Sequence, residues 1–307
     1  MPAPLAPASV SLGLHAAASQ PAARQVEALL AEAVAAERAG FDGVTLSEHH
    51  DGFPGYMPQP LLAAGWILER TERVWSGPLP LLAGVRNPML TLEQLAWTAA
   101  RHPGRLVASL AAGYARADFD FLEVDHDCRA ARLGAALLTV ASPPLTLDRA
   151  IADFAAAPPP LLAATATRRG VRRAAALGLG VLFPEGGDAA AQRELVDVYR
   201  AAGGAGPAVR IRSVWLGDPP PGAAVRREAV YRESAAAGSG PRGAFAEPLL
   251  HGEPDHVASM LAEEVSCSAA TALNLRLHLP GVPAERILDQ ITRCGEELLP
   301  TLAEAWA

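Results

Sequence analysis

Three ionisable residues, Glu48, His49 and His50, follow directly after an apolar stretch at 41–47 that is typical of a β-strand. Histidine titrates near neutral pH, so an imidazole beside a carboxylate can take up and return a proton under ordinary conditions. In proteins built from parallel strands, ligand-binding and catalytic sites usually lie at the carboxyl ends of the strands. We therefore predict that Glu48, His49 and His50 form a catalytic group, with His49 transferring the proton and Glu48 orienting a partner. Successive side chains of an extended chain point to opposite sides, so a structural role for His50 is equally open.

A second candidate group lies on the last predicted strand, at 271–279, where leucines alternate with polar residues. One face of a barrel strand meets the outer helices and the other faces the interior. We expect the leucines to face the helices, so that Arg276 or His278 points inward and reaches a pocket. Arg210 and Arg212 alternate with apolar residues in the same way on an earlier strand. A buried arginine needs an anion or an ion-pair partner, so a salt bridge inside the barrel is the alternative.

The elements that must position these residues alternate between strand and helix along the whole chain. Alternation of this kind predicts an α/β fold with a parallel sheet, and eight such pairs favour a closed (β/α)8 TIM barrel over an open sheet. We expect one domain over residues 1–307. The predicted strands are 10–15, 41–47, 74–82, 105–110, 161–164, 179–183, 208–216 and 271–279.

Three segments interrupt this regular pattern. The Gly- and Pro-rich loop at 51–60 is long for a strand–helix connection, and long loops at this edge of a barrel are often functional. Residues 124–160 are weakly patterned and predict only a short helix at 129–138. A Gly/Ser/Pro segment at 238–241 predicts a flexible connection.

Composition excludes several classes of protein. The chain has 307 residues, a net charge of −7 and no basic cluster, which argues against nucleic-acid binding. All 26 basic residues are arginine, so Schiff-base chemistry and a P-loop lysine are excluded. Three widely spaced cysteines predict neither a disulfide framework nor a metal site, and they are typical of a reducing cytoplasm. We expect no signal peptide and no membrane span.

Several short motifs occur in an order that resembles one known family, the bacterial luciferase-like flavin monooxygenases. They are Ala-Glu-Arg-Ala-Gly-Phe-Asp-Gly-Val at 36–44, Glu-His-His at 48–50, Glu-Arg-Thr-Glu-Arg-Val at 69–74, Asn-Pro at 87–88, Gly-Arg-Leu at 104–106, Gly-Tyr at 113–114 with Asp-Phe at 118–119, Arg-Ala-Ala-Ala-Leu-Gly at 173–178, Gly-Glu-Pro at 252–254 and Gly-Glu-Glu-Leu-Leu-Pro at 295–300. Each motif is weak alone, but the ordered set extends along almost the whole chain.

The resemblance implies a cytoplasmic homodimeric flavoprotein enzyme that binds reduced FMN at the carboxyl ends of its barrel strands. Family monooxygenases let reduced flavin react with O2 at C4a and use the resulting peroxide on a small organic substrate. His49 matches the first histidine of the family motif. The absence of a Gly-x-Gly-x-x-Gly nicotinamide fingerprint predicts that a separate flavin reductase supplies the reduced cofactor.

The flavin phosphate needs backbone N–H groups and a cation, and the loop at 164–169 enters a predicted helix whose N-terminus is a ready anion site. We expect Thr165 and Thr167 to face the phosphate, with Thr167 as the helix cap, and Arg168 or Arg169 to supply charge. Arg276 and His278 complete the predicted cofactor-binding set. An ordinary capped helix with solvated arginines is the alternative.

Two other functions stay open. The same scaffold also serves deazaflavin-dependent oxidoreductases that transfer a hydride without oxygen, although the Glu-His-His form looks more like the FMN-using branch. A catalytically weak, flavin-binding partner subunit is the third possibility. It is suggested by the short region at 124–160 and by Ala112, which stands where the luciferase catalytic subunit carries a phosphate-contacting arginine.

Overall fold

The computed structural model describes residues 3–16, 20–236 and 248–306, and the flexible segment predicted at 238–241 lies outside them. The strands are β1 (Ser9–Leu14), β2 (Gly43–Leu46), β3 (Trp75–Pro78), β4 (Leu81–Leu82), β5 (Ala108–Ala111), β6 (Leu161–Ala164), β7 (Gly180–Leu182), β8 (Ala208–Leu216), β9 (Leu250–Gly252) and β10 (Ala272–Arg276). The α-helices are α1 (Ala22–Ala39), α2 (Pro60–Arg70), α3 (Pro88–Arg101), α4 (Arg116–Phe121), α5 (Arg129–Ala141), α6 (Arg149–Ala156), α7 (Arg168–Ala176), α8 (Ala189–Ala201), α9 (Ala223–Ala236), α10 (Pro254–Ser268), α11 (Ala284–Arg293) and α12 (Leu299–Trp306).

The strands form one parallel sheet in the order β3-β2-β1-β10-β8-β7-β6-β5-β4, and β9 extends the end of β8. The two ends of this order meet, because the Ser76 N–H donates to the Arg105 carbonyl at 2.8 Å and the Val107 N–H donates to the Ser76 carbonyl at 3.0 Å. A Cβ atom on Gly77 would lie 1.7 Å from the Val107 carbonyl oxygen, so only glycine permits this approach. The predicted (β/α)8 barrel, as in luciferase-like proteins, is confirmed.

The third predicted strand, 74–82, is split into β3 and β4 at the cis peptide bond between Leu79 and Pro80. Because β3 pairs with β2 and β4 pairs with β5, the two halves together occupy one barrel position.

Two apolar layers surround the strands. Inside the barrel, Trp75, Leu162, Leu182, Val209 and Ile211 belong to one buried cluster. Outside it, the leucines of β10 pack with α1, α10 and α11, as the alternation predicted. Among the described helices, none is both long enough and apolar enough to span a membrane.

The alternation on β8 runs opposite to our expectation. Val209 and Ile211 face the interior, whereas Arg210 and Arg212 lie under α10 and pair with Glu264, with closest N–O distances of 3.3 and 3.1 Å. Both faces of a parallel barrel strand are buried, so alternation alone does not reveal which face is inside. The inference that Arg210 and Arg212 point inward is therefore wrong.

Helix α1 carries a carboxyl group on its buried face. Glu32 is 6 % exposed and shares this face with Leu29, Ala33 and Ala36. Burial raises the pKa of Glu32 to about 8. Its side chain therefore keeps a proton in the folded protein at a pH where the unfolded chain would release it.

The Glu32→Gln variant is expected to be more stable than the wild type above pH 8. The folded pKa of about 8 exceeds the ordinary value of 4.5, so the stability of the wild type falls as pH rises between these values. Glutamine removes this loss, and we expect a gain of about 1–3 kcal/mol in the free energy of unfolding at the alkaline end. Urea unfolding of both proteins near pH 4.5 and above pH 8 measures this difference in the free energy of unfolding. The exposed Glu27 on the same helix provides the control variant Glu27→Gln; equal behaviour of the two variants would contradict the prediction.

Candidate active site

The carboxyl ends of the parallel strands place several polar side chains at one mouth of the barrel. His15 follows β1, His49 follows β2, Tyr114 follows β5, Glu185 follows β7 and Arg276 ends β10. All five side chains are largely buried. Since all these strands run in the same direction, residues far apart in sequence converge at this edge.

His49 lies in a chain of hydrogen-bonding groups. Its Nδ1 atom is 2.8 Å from Asp118 Oδ2, and its Nε2 atom is 3.3 Å from the Tyr114 hydroxyl. The other Asp118 oxygen accepts the His50 backbone N–H at 2.7 Å. A carboxylate only accepts hydrogen bonds, so the proton belongs on Nδ1 and Nε2 is left to accept from the hydroxyl. Burial raises the pKa of Tyr114 above its ordinary value, so the phenol keeps its proton.

His50 and Glu48 form a separate network. Glu48 Oε1 is 2.9 Å from His50 Nε2 and 2.5 Å from Arg86 Nη2, and Glu48 Oε2 accepts the Leu82 N–H at 2.6 Å. Both Glu48 oxygens are thus occupied, and the Arg86 guanidinium compensates the buried charge. This geometry gives Glu48 and His50 a clear structural function at the end of β2. Their predicted catalytic role stays a prediction, as does that of His49.

The long loop after β2 covers His49. The Phe53 ring is stacked on the imidazole at 4.3 Å between centroids, and the Tyr56 ring meets it edge-on at 4.7 Å. His49 is 5 % exposed as a result. Tyr56 on the same loop reaches Arg276 Nη1 with its hydroxyl at 3.4 Å. The loop therefore shields the His49 imidazole from water.

Arg276 points inward at the mouth of the barrel, where it forms the buried salt bridge that the sequence had left open as the alternative. Its part in binding a cofactor stays a prediction. Its Nη1 atom is 3.1 Å from Glu185 Oε2, and its Nη2 atom donates to Ser47 Oγ at 3.1 Å. Glu185 also accepts hydrogen bonds from Ser213 Oγ and from Arg227 on α9. Burial alone would raise the pKa of Glu185, but the two guanidinium groups and the Ser213 hydroxyl hold it below its ordinary value.

The N-terminus of α7 opens at the same edge. The Thr167 hydroxyl accepts the Gly170 N–H at 3.0 Å and caps the helix, and the Thr165 hydroxyl lies 3.3 Å from it. Arg168 and Arg169 in the first turn are exposed and form no ion pair with any described residue. A Cβ atom on Gly170 would lie 1.9 Å from Thr165 Oγ1, so the loop packs tightly against the helix start. Thr165 and Thr167 are thus positioned as expected, and phosphate binding here stays a prediction.

Sequence reasoning missed three residues of this site. Asp118 was noted only within a motif, but it orients His49, 69 residues away. Tyr114 was noted only as part of a motif, and Glu185 was not singled out at all. Asp118 lies beside an apolar aromatic run, which suggests a buried carboxyl group, but nothing in the local sequence indicates which residue it meets.

The fold and this site define a (β/α)8-barrel protein with a buried histidine relay at the carboxyl ends of its strands. The family model for luciferase-like monooxygenases matches residues 7–216, about two thirds of the chain. The chain belongs to the luciferase-like monooxygenase family.

Known proteins resemble the chain at two levels. An F420-dependent glucose-6-phosphate dehydrogenase of Mycobacterium avium is 35 % identical over 114 residues, which are 35 % of this chain and 32 % of that protein. The match therefore spans about a third of the length of such curated relatives.

Two solved structures resemble the fold over nearly its full length. The monooxygenase RslO1 from Streptomyces bottropensis has a TM-score of 0.74 at 21 % identity and covers 95 % of this chain and 99 % of that one. The oxygenating constituent of 3,6-diketocamphane monooxygenase from Pseudomonas putida, in complex with FMN, has a TM-score of 0.72 at 15 % identity, with 96 % and 98 % covered.

Proposed function

We propose that this protein is a flavin-dependent monooxygenase that uses reduced FMN and O2 to oxygenate a small organic substrate. The observation that carries the proposal is the buried chain from Asp118 through His49 to the Tyr114 hydroxyl at the barrel mouth. Membership of the luciferase-like monooxygenase family supports it. We further propose that a separate reductase supplies the reduced flavin.

The residues at the mouth fit such a cofactor. The first turn of α7 offers backbone N–H groups and two exposed arginines to a phosphate, and Thr165 and Thr167 lie beside it. The half-buried rings of Phe53, Tyr56 and Tyr114 around His49 suit a planar apolar cofactor. When bound, reduced FMN supplies the electrons and the reactivity toward oxygen.

Within this proposal the residues have distinct tasks. Asp118 fixes the ring orientation and tautomer of His49, so that the Nε2 atom faces the Tyr114 hydroxyl. The Tyr114 phenol, kept neutral by burial, takes a proton from the reacting centre as it passes its own proton to His49 Nε2, and Asp118 stabilises the imidazolium that results. Phe53 and Tyr56 exclude water from this path. Glu48 with Arg86 holds the strand end in place.

A deazaflavin-dependent hydride transfer is the second candidate. The identity to F420-dependent glucose-6-phosphate dehydrogenases supports it, because coenzyme F420 is a deazaflavin. In this version the same His49–Asp118 pair would accept a proton from a substrate hydroxyl while the hydride leaves.

Anaerobic titration with FMN, reduced FMN and a deazaflavin, followed by absorbance, separates the candidates. Tight binding of reduced FMN with a long-lived absorbance change after aeration supports the first function. Hydride transfer to the deazaflavin in the absence of oxygen supports the second and overturns the first. Binding without turnover, with no effect of His49→Ala, would instead favour a partner subunit.

The Arg168→Gln/Arg169→Gln double variant is expected to bind FMN about 10-fold more weakly and riboflavin unchanged, because only FMN carries the phosphate. Fluorescence quenching of each flavin measures both affinities. Arg172, exposed one turn further along α7, provides the control variant Arg172→Gln. If riboflavin and FMN lose affinity equally, the phosphate does not lie at this helix end.

We also propose a homodimer, formed through the exposed faces of α2 and α3. Leu62, Leu90 and Trp97 are 53, 59 and 62 % exposed, and Trp66 lies beside them on α2. Exposed large apolar side chains are typical of a protein interface, although Trp97 also bonds to Asp148 Oδ2 through its ring N–H at 3.2 Å. The proposed cytoplasmic location is supported by the free state of the three cysteines.

Introducing a charge, as in Trp97→Glu, is expected to shift the protein from dimer to monomer in analytical ultracentrifugation. The expected cause is the burial of an unpaired carboxylate in the interface. Val225 on α9 is 69 % exposed and gives the control variant Val225→Glu. A monomeric wild type, or a Trp97→Glu variant that remains dimeric, would refute this interface.

A further inference from the structure

Two histidines at the barrel mouth have no part in the His49 relay. His15 follows β1 and His278 follows β10, and these strands are neighbours in the sheet. Their rings are stacked in parallel at 5.0 Å between centroids and 13° between planes. The Tyr56 ring meets His15 edge-on at 5.2 Å. The pair therefore adjoins the ring that also contacts His49.

The hydrogen-bonding capacity of this pair is not fully used. His15 is 8 % exposed, and its buried Nδ1 atom has no hydrogen-bond partner among the described residues. His278 is half-buried and forms no hydrogen bond with a described residue. A buried polar atom without a partner costs free energy unless a ligand or water meets it.

Both imidazoles are uncharged at neutral pH. Burial, then the neighbouring His278 and the Arg276 guanidinium, lowers the pKa of His15 well below its ordinary value. Burial lowers the pKa of His278 to about 4. A neutral imidazole keeps one N–H donor and one acceptor nitrogen. The pair can therefore bind a ligand through hydrogen bonds and a matching shape, but not through an opposite charge.

The surroundings limit the shape of a ligand. Gly55 lies against both rings, since a Cβ atom there would be 3.5 Å from His15 Cδ2 and 3.6 Å from His278 Nε2. The Ala16 N–H donates to the Gly55 carbonyl at 3.0 Å, which holds the loop over the pair. Two parallel rings under a loop favour a flat ligand over a branched or flexible one.

We propose that His15, His278 and Tyr56 form the substrate subsite of the barrel mouth, and that it accepts a planar ring bearing a carbonyl or hydroxyl oxygen. The imidazole N–H groups donate to that oxygen, while the ring edge of Tyr56 packs on the substrate and brings it next to His49. This subsite rests on the proposed flavin-dependent function, because it places the substrate where the cofactor would react.

The test uses the full chain loaded with FMN and three probes in calorimetric titrations: 2-naphthol, naphthalene and 1-octanol. We expect 2-naphthol to bind about 10-fold more tightly than either other probe, because only it offers both a flat ring and an oxygen. The double variant His15→Phe/His278→Phe keeps the rings and removes the hydrogen bonds, so it should bind 2-naphthol about 10-fold more weakly and naphthalene unchanged. His278→Gln, which keeps a donor and an acceptor, should retain most of the affinity.

His256→Phe, at an exposed position on α10, is the matched control. Equal binding of 1-octanol and 2-naphthol would overturn the proposal, as would a double variant that binds 2-naphthol like the wild type. FMN affinity is measured in parallel. If the double variant no longer binds FMN, the two histidines contact the cofactor and the substrate subsite is refuted. If the wild type itself does not bind FMN, the proposed function is refuted.

Discussion

The His49→Gln variant is expected to lose a factor of about 10² to 10⁴ in kcat for substrate oxidation, the usual contribution of a positioned proton-transfer group. Glutamine can still donate to Asp118, but it cannot accept a proton from the Tyr114 hydroxyl. The affinity for reduced FMN should change little, because the expected phosphate site lies at α7. Stopped-flow measurement of bound-flavin oxidation, together with product analysis, separates the two effects.

Asp118→Asn provides the second half of this prediction. An asparagine amide can turn its N–H₂ group toward His49 and so favour the wrong tautomer, which should lower kcat while the fold is retained. The control is His50→Gln, since His50 bonds to Glu48 and lies outside the relay. If His50→Gln lowers kcat as much as His49→Gln at unchanged stability, the assignment of the two histidines is wrong.

Much of the scaffold follows from local sequence cues. Helix α1 ends where Gly40 adopts φ 91°, a left-handed conformation that glycine tolerates. All eight predicted strands are present. Helix α6 was missed although Asp148 caps it, accepting the Ala150 N–H at 2.8 Å, because the prolines nearby were given more weight. The prediction of one domain over 1–307 stays a prediction.

The candidate site was only partly predictable. A strand that ends in Glu48-His49-His50 locates ionisable groups, and extended geometry correctly separates the environments of the two histidines. The partner that orients His49 could not be found in the same way, because Asp118 meets it only when the barrel closes. The same holds for Glu185, whose partner Arg276 is 91 residues away and on another strand.

Replacement of Glu185 is expected to lower stability strongly, because this carboxylate holds two guanidinium groups at the mouth of the barrel. Arg227 on α9 and Arg276 on β10 both bond to it, and all three residues are buried. Removing one member of a buried ionic group leaves charge that neither water nor protein compensates fully. The free energy of unfolding of Glu185→Gln should therefore fall by about 3–5 kcal/mol at neutral pH, as measured by urea denaturation.

The pH dependence distinguishes this electrostatic explanation from a loss of packing. Because the pKa of Glu185 is lower in the folded protein than its ordinary 4.5, its stabilising contribution is present above that value. It is lost as pH falls through the folded pKa, so the difference between wild type and Glu185→Gln should shrink in acid. Glu194, exposed on α8, gives the control variant Glu194→Gln. A difference that stays constant from neutral to acid pH would mean that the carboxylate charge does not hold Arg227 and Arg276 in place.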